Sequence, residues 1–167
     1  ISICLSLIFI NFFLDKEINV LVFSILIIVS IFCYFNWSPA SIFLGDSGSI
    51  PLGFITIFLL IELALKGMWV AALILPLYYL MDTGITLLKR VYQKKKFWNP
   101  HKEHFYQQAI QNGFSHSYVS LKLILINLGL FFLSFFAVIY QNNLIFFVIA
   151  LFWCSYFMYF FSNKKLS

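Results

Sequence analysis

Charge is what this sequence has least of. Only 10% of its 167 residues are Asp, Glu, Lys or Arg, only six are acidic, and 62% are apolar. A soluble domain of this size cannot hide that much apolar surface in one core. The mean hydropathy of +0.94 points the same way, so lipid must cover part of the chain. Cysteine is scarce too: Cys4, Cys33 and Cys154 lie in apolar runs, where they act as small hydrophobes and give no disulfide or zinc pattern. The start at Ile1 lacks the basic residues of a signal peptide. No internal repeat, soluble domain or low-complexity linker stands out. The net charge of +5 does not indicate nucleic acid, because the basic residues cluster beside apolar spans, as membrane topology requires.

The apolar runs predict an all-α, polytopic transmembrane helix bundle of about six spans. They cover residues 1–14, 18–35, 50–66, 68–90, 117–139 and 144–161. A first run of 14 residues is short beside the ~20 that a span needs, so this helix reads as cut off and the chain as a fragment. Gly67 and Gln141-Asn142-Asn143 supply short turns, and 36–49 and 91–116 are the longer polar loops. Six of the eleven Lys and Arg residues fall between Lys89 and Lys102, which sets that loop in the cytoplasm. Alternation of spans then puts 36–49 and the tail with Lys164 and Lys165 on the same side. Lys122, one turn into the fifth span, is expected to snorkel to that interface.

Two polar clusters carry potential chemistry. Asp46 lies in Gly45-Asp46-Ser47-Gly48-Ser49, directly before a span. The glycines permit a tight turn, and the helix beyond offers N–H groups and a positive dipole end to a phosphate. A carboxylate beside phosphates is a usual holder of Mg²⁺; the plainer reading is that Asp46 or Ser47 caps the helix. The second cluster is Pro100-His101-Lys102-Glu103-His104. Its histidines lack the ligand count of a zinc site and the His-Glu-x-x-His spacing of a protease. With Lys94, Lys95, Lys96 and Lys102 nearby they suit a polyanion such as a diphosphate, although topology alone also accounts for lysines there. Asp82 lies about 12 Å along its helix from Arg90. At that depth it is either functional or a structural partner of a residue such as Lys122, and Pro76 and Gly84 on either side are candidate kinks. Glu62 and Lys66 have the i,i+4 spacing of a surface pair. Phe43, three residues before Asp46, can stack on a base or anchor the loop at the interface.

Three blocks together carry a resemblance. They are Asn36-Trp37-Ser38-Pro39-Ala40-Ser41-Ile42-Phe43-Leu44-Gly45-Asp46-Ser47-Gly48-Ser49, Pro76-Leu77-Tyr78-Tyr79-Leu80-Met81-Asp82-Thr83, and Asn99-Pro100-His101-Lys102-Glu103-His104-Phe105-Tyr106. Over about residues 30–120 they resemble the C-terminal half of the polyprenyl-phosphate N-acetylhexosamine-1-phosphate transferase superfamily (glycosyltransferase family 4). The resemblance implies that residues 1–167 are the C-terminal part of one integral-membrane transferase domain in the bacterial cytoplasmic membrane, with its site facing the cytoplasm. It implies transfer of an N-acetylhexosamine 1-phosphate from a UDP-amino sugar to polyprenyl phosphate, with release of UMP. Mg²⁺ is the implied cofactor, held by Asp46. Asn36 and Phe43 match uridine-holding positions, with Ser47 beside them. His104, and with it His101, matches a contact to diphosphate or sugar; the role of Asp82 stays open. A homodimer is left open as well.

The family's aspartate-rich motifs lie upstream of the matched region and nothing in residues 1–35 replaces them, so this chain alone is expected to be inactive. The Pro-His-x-x-His-Phe-Tyr form of the loop is most similar to enzymes that start surface polysaccharides such as O-antigen. A transporter using Asp82 as an ion site, or a non-catalytic membrane protein, are the competing readings.

Overall fold

The computed structural model describes residues 1–37, 40–96, 102–141 and 143–163, and among these it contains eight helices and no strand. In hydrocarbon, a backbone that satisfies its own hydrogen bonds within each segment is the economical solution for a chain this apolar. The helices are α1 (Ser2–Asp15), α2 (Val20–Asn36), α3 (Gly45–Leu65), α4 (Trp69–Ile74), α5 (Leu77–Tyr92), α6 (Phe105–Gln111), α7 (His116–Ile139) and α8 (Leu144–Ser162). Of these, α3, α7 and α8 are long and apolar enough to cross a membrane, while α1 and α2 are shorter apolar helices. The molecule is an all-α membrane bundle, as expected.

Local chemistry sets the helix ends. Asn19, Ser115 and Asn143 are N-caps whose side-chain oxygens accept from the backbone N–H groups of Val22, Tyr118 and Ile145, satisfying donors that have no partner within the helix. Gly67, at φ +86°, makes the sharp turn between α3 and α4.

The expected fourth span, 68–90, is not one helix. It breaks at Leu75–Pro76 into α4 and α5, because proline has no N–H to give and its ring crowds the preceding turn. Gly84 causes no break and sits inside an uninterrupted α5. The 91–116 stretch, expected to be a loop, contains the short helix α6.

Helix α7 is the hub, packing against α8, α4, α1, α6 and α5. One core joins Val70 and Ile74 of α4, Tyr78 of α5, Ala109 of α6, Ile126 and Leu130 of α7, and Cys154 and Phe161 of α8. A second joins Leu7 and Ile10 of α1, Val22 of α2, Leu63 of α3 and Ala71 of α4. Between α7 and α8 the Trp153 indole lies over Gly129, where a Cβ would fall 2.6 Å from the indole nitrogen. That indole donates to the Ile126 carbonyl at 3.3 Å. A residue without a side chain at this position leaves the room that the indole fills.

Cys4 and Cys154 are buried free thiols, in keeping with a packing role. Lys66 does not pair with Glu62 as its spacing suggested. It reaches Asp15 and Asn11 of α1 instead, tying the end of α1 to the end of α3. Lys122 lies over the rings of Tyr118 and Phe160, at 5.3 and 5.9 Å, one turn towards the start of α7.

Candidate functional site

Gly45–Ser49 is not a loop before the helix; it forms the opening turns of α3. Gly45 enters at φ +58°, a left-handed conformation that glycine adopts without steric cost. Gly48 is small for a different reason, since a Cβ there would sit 2.5 Å from a Leu44 methyl carbon. The N-cap is Leu44, and no side chain caps the helix, so the capping role proposed for Asp46 or Ser47 is not what the structure shows. Asp46 is exposed in the first turn. The uncapped N–H groups of that turn are suited to an anion.

Immediately upstream, the Asn36 amide donates to the Ile42 carbonyl at 2.8 Å. Ser41 returns both its N–H and its hydroxyl to the Phe35 carbonyl. These bonds close the connection between α2 and α3, giving Asn36 a structural task that the sequence did not reveal. Phe43, 79% exposed, projects from the same connection.

The second cluster is held from three sides. Arg90, at the end of α5, is 5% exposed. Its guanidinium donates to Glu103 Oε1 and to the Lys96 carbonyl, both at 2.8 Å, and Lys95 reaches the same Glu103 oxygen at 3.2 Å. Within the cluster, Gln108 and Gln111 donate to the carbonyls of Glu103 and Lys102, and Gln107 Oε1 accepts from the His104 N–H at 3.3 Å.

Beneath it, Asp82 Oδ1 accepts from the Phe105 N–H at 3.0 Å and lies 3.3 Å from His104 Nδ1. The chain that leaves α5 at Gln93 has therefore returned to Asp82 by Phe105, about 12 Å back along the helix from Arg90. Asp82 pairs with this segment and not with Lys122. His101 lies outside the described residues.

Tyr78, Asp82, Thr86 and Arg90 recur every four residues on one buried face of α5. That spacing was visible in the sequence, and it marks the polar stripe that holds Lys96, Glu103, His104 and Phe105. Glu103 and the glutamines of α6 gave no comparable signal.

Both clusters lie at the same end of the bundle. A cleft of about 620 Å³ is lined by Asn36, Trp37 and Ala40 on one side and by His116, Ser117 and Ser120 of α7 on the other. Asn112, at the end of α6, donates to the carbonyls of Phe161, Ser162 and Asn163, which puts α6 across the end of α8. No bond joins Asp46 to His104 among those the structure gives for the described residues.

The donor set bears on a metal. Among the described residues no three acidic, histidine or cysteine groups cluster to form a cage. A single exposed carboxylate at a helix start fits Mg²⁺ shared with substrate phosphates, since that ion keeps several waters and commonly uses one or two carboxylates.

A family model described as Glycosyl transferase family 4 matches residues 1–64. A probable undecaprenyl-phosphate N-acetylglucosaminyl 1-phosphate transferase of Bacillus subtilis (strain 168) is 31% identical over 117 residues, covering 66% of this chain and 32% of that protein. The chain thus spans about a third of the length of this curated relative. No solved structure matches.

Proposed function

Since the chain belongs to glycosyl transferase family 4, we propose that it forms the C-terminal part of a membrane enzyme that transfers an N-acetylhexosamine 1-phosphate from a UDP-sugar to undecaprenyl phosphate. An oxygen of the lipid phosphate attacks the β-phosphorus of the UDP-sugar. The bond from that phosphorus to the UMP oxygen breaks, UMP leaves, and a lipid-linked diphosphate sugar remains. The single observation that supports this best is the start of α3, where uncapped N–H groups and Asp46 stand together, an anion site and a cation ligand side by side.

Asp46 is the residue that would hold Mg²⁺, which when bound offsets the charge of the diphosphate and of the leaving group. Phe43 offers an exposed ring for uracil stacking, and Asn36 and Ser47 border the same region. His104, with His101 in the same motif, contacts the diphosphate or sugar. The site faces the cytoplasm from the bacterial inner membrane, the side that the Lys89–Lys102 cluster selects. The product starts a surface polysaccharide such as O-antigen.

The test is Asp46→Asn in the full-length protein, read as Mg²⁺-dependent UMP release from a UDP-amino sugar with undecaprenyl phosphate present. The expected result is loss of that release with normal membrane insertion. Wild-type turnover would exclude a metal role for Asp46.

A further inference from the structure

Asp82 takes no part in the chemistry just proposed, yet it is 4% exposed and carries a carboxylate. A buried carboxylate is costly unless its oxygens are hydrogen-bonded. Here one oxygen, Oδ1, gathers the Phe105 N–H at 3.0 Å, His104 Nδ1 at 3.3 Å and the Thr86 hydroxyl at 3.4 Å. Two basic side chains that could have paired with it are engaged elsewhere: Arg90, two turns along α5, with Glu103 and Lys96, and Lys122 of α7 with two aromatic rings. The carboxylate is thus aimed at a histidine and at the backbone immediately after it.

We propose that Asp82 is a positioning residue for His104. Its bond to the Phe105 N–H fixes the backbone beside the histidine, and its contact with Nδ1 fixes the rotation of the ring. A carboxylate can only accept, so in this role Nδ1 is the donor and the imidazole is held in one orientation. Histidines that act on a ligand are commonly oriented in this way by a carboxylate behind them. Asp82 reaches the substrate only through His104. The inference rests on His104 contacting the diphosphate or sugar, and the experiment separates the two.

In the full-length protein in membranes, Asp82→Ala should lower kcat for UMP release by about tenfold to a hundredfold, the usual loss when an orienting partner is removed. KM for the UDP-sugar should stay close to that of wild type. Asp82→Ala combined with His104→Ala should be no slower than His104→Ala alone, because a positioning residue has nothing left to position. Losses that multiply in the double variant would overturn the proposal, as would wild-type turnover in either Asp82→Ala or His104→Ala.

Asp82→Asn retains the shape and an acceptor for Phe105, so it serves if the alanine variant does not accumulate. It also allows a readout independent of activity, the rate at which diethyl pyrocarbonate modifies His104, followed by mass spectrometry at neutral pH. A neutral amide holds Nδ1 less firmly than a carboxylate does, so the ring turns more freely and modification should accelerate several-fold. An unchanged rate would overturn the contact. If wild-type protein releases no UMP, the transferase reading fails, and this second readout still judges the link between Asp82 and His104.

Discussion

Arg90 divides its guanidinium between a carboxylate and a main-chain carbonyl, and lysine cannot reproduce that fork. Arg90→Lys should keep the charge but release either Glu103 or Lys96. The expected loss is about 1.5–3 kcal/mol for a hydrogen bond made by a charged group, measured as a lower unfolding temperature and faster tryptic cleavage at Lys94–Lys96. Phe43 poses the opposite case, a large ring held in the open. If it stacks on uracil, Phe43→Ala raises KM for the UDP-sugar about tenfold or more, the scale of one lost base–aromatic contact, while Phe43→Tyr stays near wild type. An unchanged KM in the alanine variant would return Phe43 to the interface-anchor reading. At this scale the sequence showed which residues were unusual but not what they touch. Asp82 had Lys122 as a candidate partner; its real partners, His104 and Phe105, lie 22 and 23 residues downstream. Lys66 had Glu62 one turn away and chose Asp15 at the end of another helix.

Among the elements, the α7–α8 pair depends on a glycine. Gly129→Leu should force the helices apart against Trp153, and overpacking of this kind costs about 1–3 kcal/mol. Trp153→Leu in the same chain should restore part of the loss, read by thermal unfolding in detergent; no change in either variant would mean the helices do not cross there. The long helices were legible because an apolar run longer than 15 residues leaves few alternatives. So were the punctuation marks at Gly67 and Pro76, which act through local backbone chemistry. Helix α6 was not legible. It is seven residues long with three glutamines, too short to persist on its own. It exists because Asp82 receives its first N–H and α7 and α8 receive its apolar side. The start of α3 was also misread, as a loop, because Gly-Asp-Ser-Gly-Ser has low helix propensity and joins the helix only through the turn that Gly45 makes.

For the whole molecule, the two polar clusters share one end of a bundle organised around α7, and this fixes which loops lie on the same side of the membrane. Helix α7 has 24 residues, about 36 Å at 1.5 Å per residue, enough to separate its two ends by the hydrocarbon core. Ser115→Cys and Gln141→Cys should therefore be labelled by an impermeant maleimide from opposite faces of sealed vesicles. Labelling of both from one face would refute the arrangement. The common side of both clusters was legible in the sequence, since alternating spans and one lysine-rich loop determine it. The return of Glu103, His104 and Phe105 to α5 was not, because it depends on contacts between distant segments.

The bond from Asn112 to the end of α8 adds a matter of timing. A ribosome makes Asn112 some 50 residues before Ser162, so the far end of α6 emerges well ahead of its anchor, although Asp82, which holds its near end, is already in place. Until α8 has entered the lipid, the far end of α6 lacks the carbonyls to which Asn112 donates. Docking of the far end of α6 therefore waits for α8, and a chain stopped short of Phe161 would reach the membrane with that anchor missing.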